Sequence, residues 1–482
     1  MSVNHTLIVA DALVGADFQP AGPTAITIAD GLIQRLEPAG SAPGPRRLAL
    51  PGIANAHDHG RPLSTTSFGA GNRPLETWLP SLAAMPSVDP YLAHAAPFGR
   101  AARGGAIGAM VHLTRPMGLT PFPEEARIIA RAATDVGLRI ALAISVKDRN
   151  PLVYGDHADI LAGLTESARK VLQDTFLKQP LPIREQLDLV DSVAADITSP
   201  MIDVQYGPNG VQWCSDTMLE EIAGRSADTG RRIHMHLLET PYQRTYADRE
   251  YPRGIVRHLA DIGLLSPRLT LAHCVWARPD ELELIAQYGA RIAVNTSSNL
   301  HLMSGIAPVE EMLRRGVAVA MGLDGCAFDE DDDALRELRL FKILHAGWGF
   351  PEEMSRVSAL KAACSTGRAA IGAPGSGLIE PGAPADFLLL DLDALDRDAI
   401  MPVDPRDYLF ARAQAGHIAG SFIAGREIVR NGALTGMDLD AVETELRTAY
   451  RAGMPGRAPF LAAWRETEPA IARFYQDRLG CF

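Results

Sequence analysis

The sequence predicts an α/β fold: a (β/α)8 barrel of the TIM type, carrying a small β-sandwich built from both terminal segments. Three observations lead there. Eight short apolar runs, at 48–56, 105–112, 138–146, 202–206, 231–237, 269–274, 291–295 and 317–323, are interleaved with helical stretches at 124–136, 183–194, 217–229, 254–262, 279–287 and 308–315, the rhythm of repeated strand–helix units. Several runs end downstream on histidine, glutamate or aspartate, and such barrels carry their chemistry on the loops that follow the strands. β-like alternation marks both ends of the chain, at 6–10, 25–28 and 32–36 and again at 385–391 and 417–432. An open doubly wound sheet would want a glycine-rich phosphate turn after its first strand; here that place holds His57-Asp58-His59.

Taken in order, residues 1–50 and 380–436 are expected to form one composite sandwich, 51–379 the barrel and 437–482 a helical tail. Asp30-Gly31 and the Gly/Pro-rich stretch 39–45 separate the first strands, and Ala424-Gly425 between alternating runs reads as a hairpin turn. In the tail, Leu439, Val442, Leu446 and Tyr450 recur at helical spacing behind Asp438, a suitable N-cap. That predicts a helix packed on the barrel or on a partner subunit.

Bulk composition narrows the function classes. With 46 Lys and Arg against 58 Asp and Glu, the net charge of −12 argues against a nucleic-acid backbone as partner. Five cysteines without a Cys-x-x-Cys pair suggest neither a disulfide framework nor a thiolate zinc site. The first residues lack signal-peptide features and no run of about 18 apolar residues occurs, so a cytoplasmic protein outside the membrane is expected.

The chemistry rests on four motifs. His57 and His59, two apart on an extended run, point the same way and can meet one ion. A second pair, His234-Met235-His236, precedes Glu239; then come His273, after Leu269-Thr270-Leu271-Ala272, and Asp324, after Met321-Gly322-Leu323. This set, in this order, resembles the amidohydrolase superfamily. More narrowly it is similar to the mononuclear-metal aminohydrolases that deaminate purines, pyrimidines, triazines and pterins.

The resemblance implies one divalent cation per chain on His57, His59, His236 and Asp324. Three imidazoles and a carboxylate suit Zn2+, or Fe2+, better than magnesium or calcium. Such a cation brings the pKa of bound water from 15.7 to roughly 7. Glu239 would protonate the ring nitrogen beside the attacked carbon, His273 would orient the water, and Asp324 would double as ligand and proton shuttle. His234 would hydrogen-bond to a ligand from behind. His112, Lys147, Asn209 and His301 are candidate substrate contacts, and Arg115 shares with Lys147 the option of gripping a carbonyl or carboxylate. Small N-heterocycles are the implied substrates, and dimers or tetramers the implied assembly.

The chain departs from the branch where Pro62, Leu323 and Asn209 replace its usual glutamine, threonine and histidine, and where Asp329-Glu330-Asp331-Asp332-Asp333 follows the metal aspartate. Two other readings are a two-metal hydrolase of cyclic amides or imides, using carboxylated Lys147, and a non-catalytic relative that uses the barrel for binding.

Overall fold

A computed structural model describes residues 5–40, 44–325, 330–350 and 354–478. Cys326, Asp329 and Cys481 lie outside them. The core is a (β/α)8 barrel with strands β1 (Ile53–Asp58), β2 (Ala106–Leu113), β3 (Arg139–Val146), β4 (Ile202–Pro208), β5 (Ile233–Leu237), β6 (Leu269–His273), β7 (Arg291–Val294) and β8 (Ala318–Met321). Each pairs in parallel with the next. The ring closes just beyond β8, where the Leu323 and Asp324 N–H groups donate to the His57 carbonyl at 3.2 and 2.8 Å. Every residue of β2 is buried, as expected where helices cover one side of a strand and the barrel interior the other.

Local signals set the helix limits. In Phe122–Val136 the buried Ala126, Ile129, Ala133 and Val136 follow the three- and four-residue spacing of one helix face, and Gly137 ends the helix at φ 85°. Asp216–Thr229 starts where the Ser215 hydroxyl accepts from the Met218 N–H and stops at Gly230, φ 74°.

The apolar run 48–56, expected as one barrel strand, is two strands in two sheets. Arg47–Pro51 pairs antiparallel with Phe387–Asp391, and β1 begins only at Ile53. Gly52 makes the crossing possible, because a Cβ there would come within 2.3 Å of the Ile107 side chain.

The strands from both ends form two sheets. One joins His5–Val9, Thr24–Ala29 and Leu32–Pro38; the other has seven strands and includes Asp11–Val14, Arg47–Pro51, Phe387–Asp391, Ile418–Ile423 and Arg426–Arg430. Between them lie Val9, Ile26, Ile28, Ile33, Phe387 and Phe422. The Ala424-Gly425 turn is a two-residue hairpin with both φ positive, at 49° and 73°. A buried ionic cluster joins this unit to the barrel: the Asp386 carboxylate accepts from Arg139 Nε of β3 at 3.0 Å, from Arg368 and from the Ala424 N–H.

The tail forms two long helices. Leu439–Gly453 is capped by Asp438, whose carboxylate accepts from the Ala441 N–H at 3.0 Å, and buries Leu446 and Tyr450 against Met85, Val88, Ala93 and Ala96. Ala458–Arg478 lies on Glu166–Phe176, with Phe460 6.3 Å from Phe176 and Tyr475 5.2 Å from Tyr154 between ring centroids. Among the described residues no helix is long and apolar enough to cross a membrane.

Candidate active site

The downstream ends of β1, β5, β6 and β8 bring the singled-out side chains to one place. His59 Nε2 stands 3.1 Å and His57 Nε2 3.4 Å from Asp324 Oδ1, and His59 Nε2 is 3.4 Å from His236 Nε2. His57, His59 and His236 offer nitrogen atoms all within 4.8 Å of one another; so do the ligand atoms of His57, His273 and Asp324. The backbone is bent to do this. Leu238, His273, Cys274 and Asp324 all have φ between 48° and 75°, a left-handed conformation costing non-glycine residues about 1–3 kcal/mol each.

The far side of each ring explains its direction. His59 Nδ1 donates to the His112 carbonyl and His236 Nδ1 to the Asn209 carbonyl, both at 2.8 Å. These bonds place the proton on Nδ1 and leave Nε2 with its lone pair toward the shared point. His57 Nδ1 is 2.8 Å from His234 Nε2, with the two rings stacked. Burial, above all, pushes the His57 and His236 pKa values well below the usual histidine range, which keeps both rings neutral, the form a metal would require of them. Burial opposes ionisation of Asp324, yet its contacts with His57 and His59 outweigh it and hold the carboxyl well below its usual value. His57 Nε2 and Asp324 Oδ1 are buried without a hydrogen-bond partner among the described residues. Two such orphaned atoms beside two further imidazole nitrogens fit a divalent cation. Replacing His234 with alanine should weaken metal affinity by about 10–100-fold, measured by chelator competition.

The cluster opens into a cavity of about 530 Å3 whose wall includes Glu76, Lys147, Asn209, Glu239 and His273. Glu239 Oε2 lies 3.7 Å from His273 Nε2, and its Oε1 accepts from the Ser304 hydroxyl at 3.3 Å. Burial raises its pKa to about 6, against the opposing influence of His273. His273 is held in turn by Asn299 Oδ1, 2.8 Å from Nδ1.

Of the candidate substrate contacts, Asn209 and Lys147 line the cavity, whereas His112 and His301 do not. His112 lies behind the candidate ligand rings, its centroid 4.7 Å from that of His236, and contributes the carbonyl that orients His59. His301 ends the short helix Thr296–His301. Lys147 follows β3, is open to the cavity and is surrounded by protein; burial lowers its pKa.

Sequence reasoning missed Ser298, whose hydroxyl donates to Asp324 Oδ2 at 2.6 Å, and Asn299. It also missed Glu76, with one oxygen bonded to the Thr240 hydroxyl and the other buried without a hydrogen-bond partner among the described residues. A polar run, 295–299, straight after a barrel strand was the available signal for the first two; nothing marked Glu76.

Glu337 supports this loop by accepting the Ser297 N–H at 3.1 Å. Burial pushes Glu337 and Glu76 up to about 7. Both therefore keep a proton in the folded chain between about pH 4.5 and 7, where the unfolded chain has released it, so stability from these groups declines as pH rises through that window. The slope is at most about 1.4 kcal/mol per pH unit per group. The urea midpoint should be higher at pH 6 than at pH 8, by less in Glu337→Gln.

Comparison with known proteins agrees with this geometry. The chain is 28% identical over 420 residues to the 5'-deoxyadenosine deaminase of Methanothermobacter thermautotrophicus, covering 86% of this chain and 89% of the relative. It is 28% identical over 441 residues to the 5-methylthioadenosine/S-adenosylhomocysteine deaminase of Nitratidesulfovibrio vulgaris, covering 89% and 92%. Among solved structures it is similar in fold to an adenosine deaminase from Xanthomonas campestris with bound zinc, at TM-score 0.76 and 22% identity over 94% of this chain and 98% of that one. An atrazine chlorohydrolase from Arthrobacter aurescens complexed with zinc matches at TM-score 0.76 and 22% identity, over 92% and 99%. The model of the amidohydrolase family matches residues 48–428, from the strand before Gly52 through the return into the terminal sheets. Strand-end histidines on a closed barrel and a match over most of the sequence have one explanation: the chain belongs to the amidohydrolase family.

Proposed function

We propose that the substrate is an amino-substituted purine or a closely related N-heterocycle, as its nucleoside or another N-substituted derivative. The enzyme is a hydrolase of C–N bonds outside peptides, and its reaction is hydrolytic deamination. The observation that carries the choice of reaction is Glu239. Its carboxyl faces the same cavity as the histidine cluster, and its pKa near 6 lets it hold and return a proton in the mildly acidic to neutral range. Support for a purine comes from the relatives named for adenosine-type substrates.

His57, His59, His236 and Asp324 would hold one divalent cation, for which we propose zinc. Bound there, it supplies the Lewis acidity that makes water a nucleophile near neutral pH. The chain's own groups do the rest. His273 Nε2, its ring fixed through Nδ1 by Asn299, orients the attacking water. Asp324, held by Ser298 through Oδ2, takes a proton from that water and passes it to the departing amine. Glu239 protonates the ring nitrogen beside the attacked carbon, so that negative charge does not build up on the heterocycle. The Glu76 oxygen without a partner among the described residues hydrogen-bonds the substrate, donating while the carboxyl holds its proton and accepting once it ionises near pH 7; otherwise it is a buried polar atom without a bond, which is costly.

The test is ammonia release from aminopurine nucleosides, free aminopurines, pterins, cytosine and aminotriazines by protein loaded with zinc or with iron. Release from an aminopurine, with about one metal per chain, is the expected result. Turnover of cyclic amides but of no amino-heterocycle would overturn the proposal.

A further inference from the structure

We propose that the cavity wall supplied by the tail is a recognition site for an anionic group of the substrate, a carboxylate or phosphate, held by Arg115, Arg457 and Tyr450. This deepens the deaminase reading and rests on it.

Arg115 follows β2, whereas Tyr450 and Arg457 come from the tail, yet all three line the catalytic cavity. Both guanidinium groups are drawn to the same short stretch of backbone. Arg115 Nη1 donates to the Leu82 carbonyl at 3.0 Å and Nη2 to the Met85 carbonyl at 2.8 Å, while Arg457 Nη2 donates to the Ala83 carbonyl. Carbonyl oxygens orient a guanidinium but do not neutralise it. Neither arginine forms an ion pair with a carboxylate among the described residues, in contrast to Arg100, held by Asp332 and Glu443, and Arg225, held by Asp188, Asp191 and Glu221. Arg457 Nε and the Tyr450 hydroxyl are buried and have no hydrogen-bond partner among the described residues. Burial and the nearby Arg457 both lower the Arg115 pKa, as expected where like charges stand together uncompensated.

Lys147, on the wall of the same cavity, also forms no ion pair among the described residues. A chain with net charge −12 has thus gathered unneutralised cations in its catalytic cavity. Each guanidinium presents five N–H donors in a fixed fork that suits carboxylate or phosphate, and most of them make no hydrogen bond among the described residues. Anchoring the tail would account for the carbonyl bonds. It would not account for two adjacent cations, with an Nε and a phenol left without a hydrogen-bond partner among the described residues, at the wall of one cavity.

The test uses the metal-loaded full chain and a matched pair of compounds for each heterocycle that releases ammonia: one N-substituted with propanoate, the other with propanamide. The expected kcat/KM is higher for the carboxylate by at least about tenfold and this preference falls with added salt. In the double variant Arg115→Gln/Arg457→Gln the ratio should approach one. Arg457→Lys, which keeps the charge but loses the fork, should retain part of it, and metal content and urea midpoints show whether each variant folds. Calorimetric titration with inorganic phosphate gives a readout independent of the heterocycle, with binding expected in the parent protein and lost in the double variant. Ammonia release with a ratio near one in the parent protein removes the anion site and leaves the deaminase reading standing. Phosphate binding lost in the double variant, with no ammonia from any heterocycle, removes the deaminase reading and leaves the anion site. No ammonia and no difference in phosphate binding removes both.

Discussion

Replacing Glu239 with glutamine is expected to leave metal content unchanged and to lower kcat by about 10²–10⁴-fold. The amide has the shape of the carboxyl and can still accept from the Ser304 hydroxyl through its oxygen, so the wall of the site should stay in place. What it cannot do is deliver a proton to a ring nitrogen. None of the proposed metal ligands is altered, so a metal assay beside the rate measurement separates loss of chemistry from loss of the ion. A glutamine variant that turns over the true substrate at nearly the normal rate would rule out the assigned role.

A second large effect is expected far from the chemistry. Asp386→Ala should destabilise the protein by about 3–5 kcal/mol, because removing one partner of a buried ion pair leaves uncompensated charge in the interior. The side chains of Asp386, Arg139 and Arg368 are 1%, 6% and 2% exposed, so water cannot replace the lost carboxylate. Asp386 also fixes the Ala424 N–H at the hairpin, which ties the loss to the joint between barrel and sandwich. A marked drop in the urea midpoint is the measurement, and Asp386→Ala/Arg368→Met should recover part of it. An unchanged midpoint would mean that the joint depends on the apolar packing around it.

The barrel was legible because its strands are buried on both sides and appear as unbroken apolar runs, while its helices carry one apolar face. The expected helix 183–194 is observed at Ile183–Asp196, and 279–287 at Pro279–Gln287. The boundary at Gly52 was not legible, since a chain passing from one buried sheet to another changes neither hydrophobicity nor period. Motif histidines could be read because their spacing on a strand sets their direction. Glu76, Ser298 and Asn299 could not, because they approach the site from loops and short helices whose course depends on the packing of the whole molecule. The tail showed its first helix by periodicity, but that Tyr450 and Arg457 reach the catalytic cavity follows only from how the two helices lie on the barrel.

The meeting of β1 and β8 has a consequence for folding order. His57 and Asp324 face each other across the place where the ring of strands closes, joined there by the 2.8 Å backbone bond from the Asp324 N–H to the His57 carbonyl, and His57 Nε2 and Asp324 Oδ1, two of the proposed ligand atoms, stand 3.4 Å apart. An ion held by this pair would act as a rivet through the seam, linking segments more than 250 positions apart whose union carries a large loop-closure entropy. Cofactor uptake and completion of the cylinder would thereby be coupled, and on removal of such an ion the first strand should part from the last before any other neighbours separate.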